Sequence, residues 1–134
     1  MNNAQKIITL WILFVVCMIL HFNYHVGELF YGIEIKRANA TGVVPPSAAI
    51  IRFIFEILPM SLITFILFIE KPIIRKINFG IAAIFALANL AHLIEEFMSP
   101  KLDLSQLNLL SFVFISSLLL TLASWRWLKE DLSA

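Results

Sequence analysis

The amino-acid sequence predicts an all-α integral membrane protein, a four-helix bundle whose spans run up, down, up and down. Three observations predict it. The 134-residue chain is 60% hydrophobic and 14% charged, with a mean hydropathy of +0.91, whereas a soluble domain is nearer one-half apolar and one-quarter charged. The charges leave long gaps, and Leu104 to Ser124 carries none over 21 residues, enough to cross a ~30 Å hydrocarbon core as a helix. Shorter charge-free runs, Ile7 to Leu20, Ile57 to Ile69 and Ile77 to Ala91, reach spanning length once the polar residues beside them are counted in. Residues 1–134 read as one transmembrane domain with spans at about 7–32, 48–69, 77–97 and 104–127.

Each span has its own boundary signals. Span one ends near Gly32, and the loop from Ile33 to Ser47 carries Lys36, Arg37, Gly42 and Pro45-Pro46. In span two, Pro59 lacks a backbone donor, which predicts a kink. Glu70-Lys71-Pro72 ends that span, and Ile73 to Asn78 reads as a short link. Span three stops at Ser99-Pro100. Its small residues Gly80, Ala82, Ala83, Ala86, Ala88 and Ala91 suit close helix packing. Asp103-Leu104-Ser105-Gln106 has the pattern of a capping box, with Asp103 at the N-cap of span four. The serines and threonine of span four fit packing and local hydrogen bonds.

Lysine and arginine set the expected orientation. Six of them (Lys6, Lys71, Arg75, Lys76, Arg126, Lys129) fall on one side, against Lys36, Arg37, Lys101 and the in-span Arg52 on the other. That bias places both termini in the cytoplasm, and Trp11, Trp125 and Trp127 lie near the same face, as interfacial tryptophans do. A bacterial inner (plasma) membrane is the expected location. The formal net charge of +1 leaves no basic stripe for nucleic acid. The single Cys17 forms no intramolecular disulfide. Asn39-Ala40-Thr41 is a glycosylation sequon read as a chance occurrence.

The strongly polar residues inside the spans all fall at one depth, near the outer face. His21, His25 and Glu28 are spaced i, i+4, i+7 on span one, with Cys17 one turn deeper and Tyr24 beside them. Span two adds Arg52 and Glu56, for which an ion pair is the bland expectation. Span three adds Asn89, His92 and Glu96 at i, i+3, i+7, with Glu95 at the edge of that stripe. Ionisable groups at mid-bilayer cost roughly 2.5–3.5 kcal/mol each on insertion scales, so their gathering points to a functional site.

His-x-x-Glu occurs twice, as His25-x-x-Glu28 and His92-x-x-Glu95. Carboxylate-bridged di-metal bundles use the reverse order, Glu-x-x-His, on two helices. Imidazoles with several carboxylates suit zinc, iron or manganese. The expected metal ligands are His21, His25, Glu28, His92 and Glu95, with Glu56 or Glu96 as general base and Tyr24, Arg52 and Asn89 as further polar residues. The alternative is that Glu95 and Glu96 stay hydrated at the interface while the histidines bond helix to helix.

His92-Leu93-Ile94-Glu95-Glu96 resembles the motif of the small bacterial HxxEE-motif membrane proteins, a group of unknown function. The resemblance covers five residues and implies a membrane protein without implying a reaction.

Four functions follow from the pattern. The first is a metal-dependent enzyme acting on a lipid-like substrate. The second is haem-based electron transfer with His92 and either His21 or His25 as axial ligands. The third is proton- or cation-coupled transport by a homo-oligomer, and the fourth is an accessory subunit docked to a membrane partner.

Overall fold

The computed structural model describes residues 1–36, 40–99 and 102–130, which are entirely helix, turn and loop. The sequon asparagine, Asn39, lies outside the described residues. Helix α1 (Asn3–Gly27) continues into a 3₁₀ turn, Glu28–Tyr31. Helix α2 (Pro46–Arg52), a π-helical turn (Phe53–Ile57) and α3 (Leu58–Phe68) together form the second long segment. Helices α4 (Pro72–Phe97) and α5 (Leu104–Leu128) complete the bundle. The four segments are long and apolar enough to cross a membrane.

Side chains near the chain ends and prolines set the helix starts. Asn2 and Gln5 form a reciprocal capping box at α1: Asn2 Oδ1 accepts from Gln5 N at 2.9 Å, and Gln5 Oε1 from Asn2 N at 3.0 Å. Pro46 and Pro72 stand in the first turns of α2 and α4, where a missing donor costs nothing. Gly32 closes the 3₁₀ turn at φ +74°, a left-handed conformation that glycine adopts without strain.

The link expected at Ile73–Asn78 is instead the first turns of α4. Nothing between Pro72 and Asn78 breaks a helix, and the basic residues there have helical work. Arg75 Nη1 donates to the carbonyls of Trp127 at 3.0 Å and Glu130 at 2.7 Å. It thereby covers the exposed carbonyls and negative dipole end of α5.

Pro59 acts as expected, but the result is a widened turn. In a regular α-helix its ring would press on the Phe55 carbonyl and leave that group without a donor. The chain swells into a π-helical turn in which Leu58 N–H reaches Phe53 O, five residues back. Ser61 Oγ then donates to Ile57 O at 2.9 Å.

Helix α5 packs against both α4 and α1, α1 also packs against α3, and α3 against α4. Neighbouring segments are therefore antiparallel, while α1 and α4 face each other across the diagonal. Large side chains fill the space between them. Trp11, Phe14 and Phe85 meet edge to face at centroid separations of 5.1–5.9 Å, and Phe55 closes on Phe85 at 5.5 Å. Edge-to-face pairs of this kind add roughly 0.5–1.5 kcal/mol each beyond their buried area.

Below this aromatic layer, at the end carrying the chain termini, a buried amide joins three segments. Trp11 Nε1 donates to Asn78 Oδ1 at 2.8 Å, and Asn78 Nδ2 donates to Ser124 Oγ at 2.8 Å. Of the small residues expected to pack, Ala82 and Ala86 are buried, and Thr121 Oγ1 reaches Ala82 O at 3.2 Å. Gly80 is exposed and a Cβ there would meet nothing, so close packing does not require it.

Candidate functional site

Three imidazoles meet at the bundle end opposite the termini. His21 lies at the centre, edge to face with His25 at 4.7 Å on its own helix and with His92 at 5.2 Å across the diagonal. The first contact follows from the one-turn spacing on α1. The second comes from the depth match between α1 and α4. Each outer imidazole has its own carboxylate: His25 Nδ1 is 3.4 Å from Glu28 Oε1, and His92 Nδ1 is 3.6 Å from Glu95 Oε2. Glu96 is half-buried and close enough to act electrostatically on His21.

The central ring is held by a residue that sequence reasoning missed. Gln106, 1% exposed in the first turn of α5, places Oε1 2.7 Å from His21 Nδ1 and donates from Nε2 to the His21 carbonyl at 3.3 Å. That carbonyl can only accept, which orients the amide. Oε1 then faces the ring and can only accept as well, so His21 Nδ1 carries the proton. In the neutral ring Nε2 is left as the basic nitrogen.

A signal for Gln106 was present in the sequence. It sits three residues after Asp103, where a capping box would use its side chain. Half of that box forms, since Asp103 Oδ1 accepts from Ser105 N at 2.7 Å and Gln106 N at 3.3 Å. The amide itself turns to His21, because a half-buried imidazole offers a partner where the exposed cap offers water.

Asn89 is the second buried amide at this end, one turn below His92. It is 6% exposed, and its Nδ2 is a buried donor with no hydrogen-bond partner. Such groups are uncommon in folded proteins.

Other expected site residues are not joined to the cluster. The side chains of Tyr24, Arg52 and Glu56 are exposed and make no hydrogen bond, ion pair or ring contact. The Arg52–Glu56 ion pair does not form, because the swollen π-helical turn containing Glu56 follows directly after Arg52 and alters the one-turn register. Cys17 turns from the histidines into an apolar pocket with Phe14, Val113 and Ser117.

The expected metal centre is also not assembled: among the described residues no three His, Cys, Asp or Glu side chains are grouped to hold an ion. Ligand atoms on one tetrahedral zinc lie roughly 3.3 Å apart, so either His–Glu pair has the reach of two ligands. A third is lacking in both cases among the described residues.

No family model, curated protein or solved structure matches the chain. The arrangement itself defines its chemistry. Carboxylate, imidazole, imidazole, imidazole and carboxylate follow one another from Glu28 to Glu95. The outer members are open, with His25 and His92 side chains each about half exposed (49% and 46%). Such a series can accept, hold and deliver protons. Towards the other end it meets the aromatic layer, and no buried residue among those described is charged.

Proposed function

We propose that this chain is a multi-pass membrane protein, with both termini in the cytoplasm, whose histidine cluster is a one-sided acid–base site for the polar group of a lipid-like molecule. The observation that carries this reading is the contact of His21 with both His25 and His92, each backed by a carboxylate. His21 Nε2 is the base, His25 and His92 pass protons to and from it, and Glu28 and Glu95 orient those two rings. Glu96 supports positive charge on the cluster, taking the place expected of a catalytic carboxylate.

Two features favour a one-sided site over a route across the membrane. The Trp11–Phe14–Phe85 layer separates the histidines from the opposite end, and a proton path needs titratable groups or water throughout. The depth of the cluster suits a molecule whose head sits at the membrane surface and whose tail lies along the exposed apolar faces of α1 and α4. A haem between His21 and His92 is not favoured, since rings already in edge contact leave no room for a porphyrin plane.

The test is lipid turnover. Purified protein in nanodiscs of a total bacterial lipid extract is followed by mass spectrometry beside His21→Ala, His92→Ala and Glu96→Gln. One lipid class consumed by the parent protein and spared by the variants is the expected result, with no dependence on added metal. Equal consumption by the histidine variants, or none by any protein, ends the reading. Recovery of chelator-treated protein by zinc, iron or manganese would replace it with the metal-dependent form.

A further inference from the structure

At the end of the bundle away from the histidines, α1 and α5 flank an open groove of about 320 Å³. Its mouth carries Lys6 from the first turns of α1 and Arg126 from the last turn of α5. Its walls include Leu10, Leu119 and Leu122. The hydrogen bond from Asn3 Nδ2 to Glu130 Oε1, 2.6 Å, sets the antiparallel register that brings these two cations to the same level.

Neither cation has a partner among the described residues. Among the described residues the ion pairs are His25–Glu28 and His92–Glu95 alone, both at the far end. Glu130 lies one turn beyond Arg126 yet bonds Asn3. Two other basic side chains at this end are already engaged: Arg75 caps α5, and Lys129 lies over the Trp125 ring at 4.1 Å. Lys6 and Arg126 thus form a divided positive charge above an apolar trough.

We propose that this groove binds an anionic phospholipid, its phosphate between Lys6 and Arg126 and an acyl chain along Leu10, Leu119 and Leu122. The charge favours a phosphate diester, and basic pockets between spanning helices at the cytoplasmic face suit such headgroups. The apolar walls favour a lipid over free phosphate, which would leave them uncovered. The proposal rests on the membrane reading above and is independent of the histidine site.

Native mass spectrometry of the detergent-purified protein tests it, with phosphatidylglycerol and phosphatidylcholine offered at equal concentration. About tenfold preferential retention of phosphatidylglycerol is expected. The preference should vanish in the Lys6→Ala/Arg126→Ala double variant, persist in Lys6→Arg/Arg126→Lys, and persist in Lys36→Ala at the opposite end. Equal retention of the two lipids, or an unchanged preference in the double alanine variant, overturns the proposal. Displacement of phosphatidylglycerol by millimolar inorganic phosphate overturns it in favour of a free-phosphate site. Flotation with phosphatidylcholine vesicles separates the two readings: protein that fails to insert defeats the membrane reading, whereas inserted protein without lipid preference defeats only the groove.

Discussion

Gln106 grips His21 at two points, its Oε1 2.7 Å from the imidazole Nδ1 and its Nε2 3.3 Å from the same residue's carbonyl. One side chain of α5 thereby fixes both the tautomer of the central histidine and the register of α1 beside it. Nitrogen-15 NMR of histidine-labelled protein is expected to show His21 as the Nδ1–H tautomer at neutral pH. In Gln106→Leu the signal should move to the commoner Nε2–H form, and the bundle should lose about 1 kcal/mol. A wild-type His21 protonated on Nε2 alone would contradict the assignment.

Asn78 joins α1, α4 and α5 through Trp11 and Ser124. Asn78→Leu removes both bonds and leaves a buried indole N–H unpaired, for a loss of about 1–3 kcal/mol in detergent unfolding. Ser124→Ala removes one bond and should cost about half as much. An Asn78→Leu protein as stable as the parent would show that the amide carries no weight in the fold.

Phe85 touches Trp11, Phe14 and Phe55 and so anchors the layer beneath the histidines. Phe85→Ala should cost about 3–5 kcal/mol through the lost ring and the void it leaves. It should also open the site from below, seen as faster amide exchange at residues 14–18 and 85–89. Phe85→Leu keeps most of the volume and should restore slow exchange. Unchanged exchange in the alanine variant would mean that another group seals the bundle.

Pro59 sets the π-helical turn, and that turn sets the direction of Arg52 and Glu56. Pro59→Ala allows a regular helix, which would rotate the segment before it by roughly 100° for the one residue taken out of register. Spin labels at Ile50 and Phe97 should then report a changed distance by pulsed electron resonance, while Ser61→Ala should leave it unaltered. A distance unaffected by Pro59→Ala would place the cause of the π-helical turn in packing and not in proline.

Much of the fold could be read from the chain in order, because span length and polar depth are local properties. The His-x-x-Glu spacing correctly paired His25 with Glu28 and His92 with Glu95, since both pairs lie within one turn. The reading failed where geometry depends on a distant partner or an altered helix. Arg52 and Glu56 share one face only on α-helical spacing, which the π-helical turn breaks. Arg75 reads in the chain only as a topological charge, although it caps a helix 52 residues away. Asn2 and Gln5 box the start of α1, a short local pattern that the length of an apolar run does not reveal.

The chain's own pattern determined four apolar helices, their order of direction, and a polar layer at one end, because hydropathy and helical periodicity act over one or two turns. Tertiary structure alone decided that α1 and α4 meet on the diagonal, and that His21 becomes the middle of three rings. It also gave that ring its proton on Nδ1 through Gln106, and set Lys6 and Arg126 along one groove. Those outcomes depend on which helices become neighbours and at what rotation, and many weak contacts summed across the whole bundle set both.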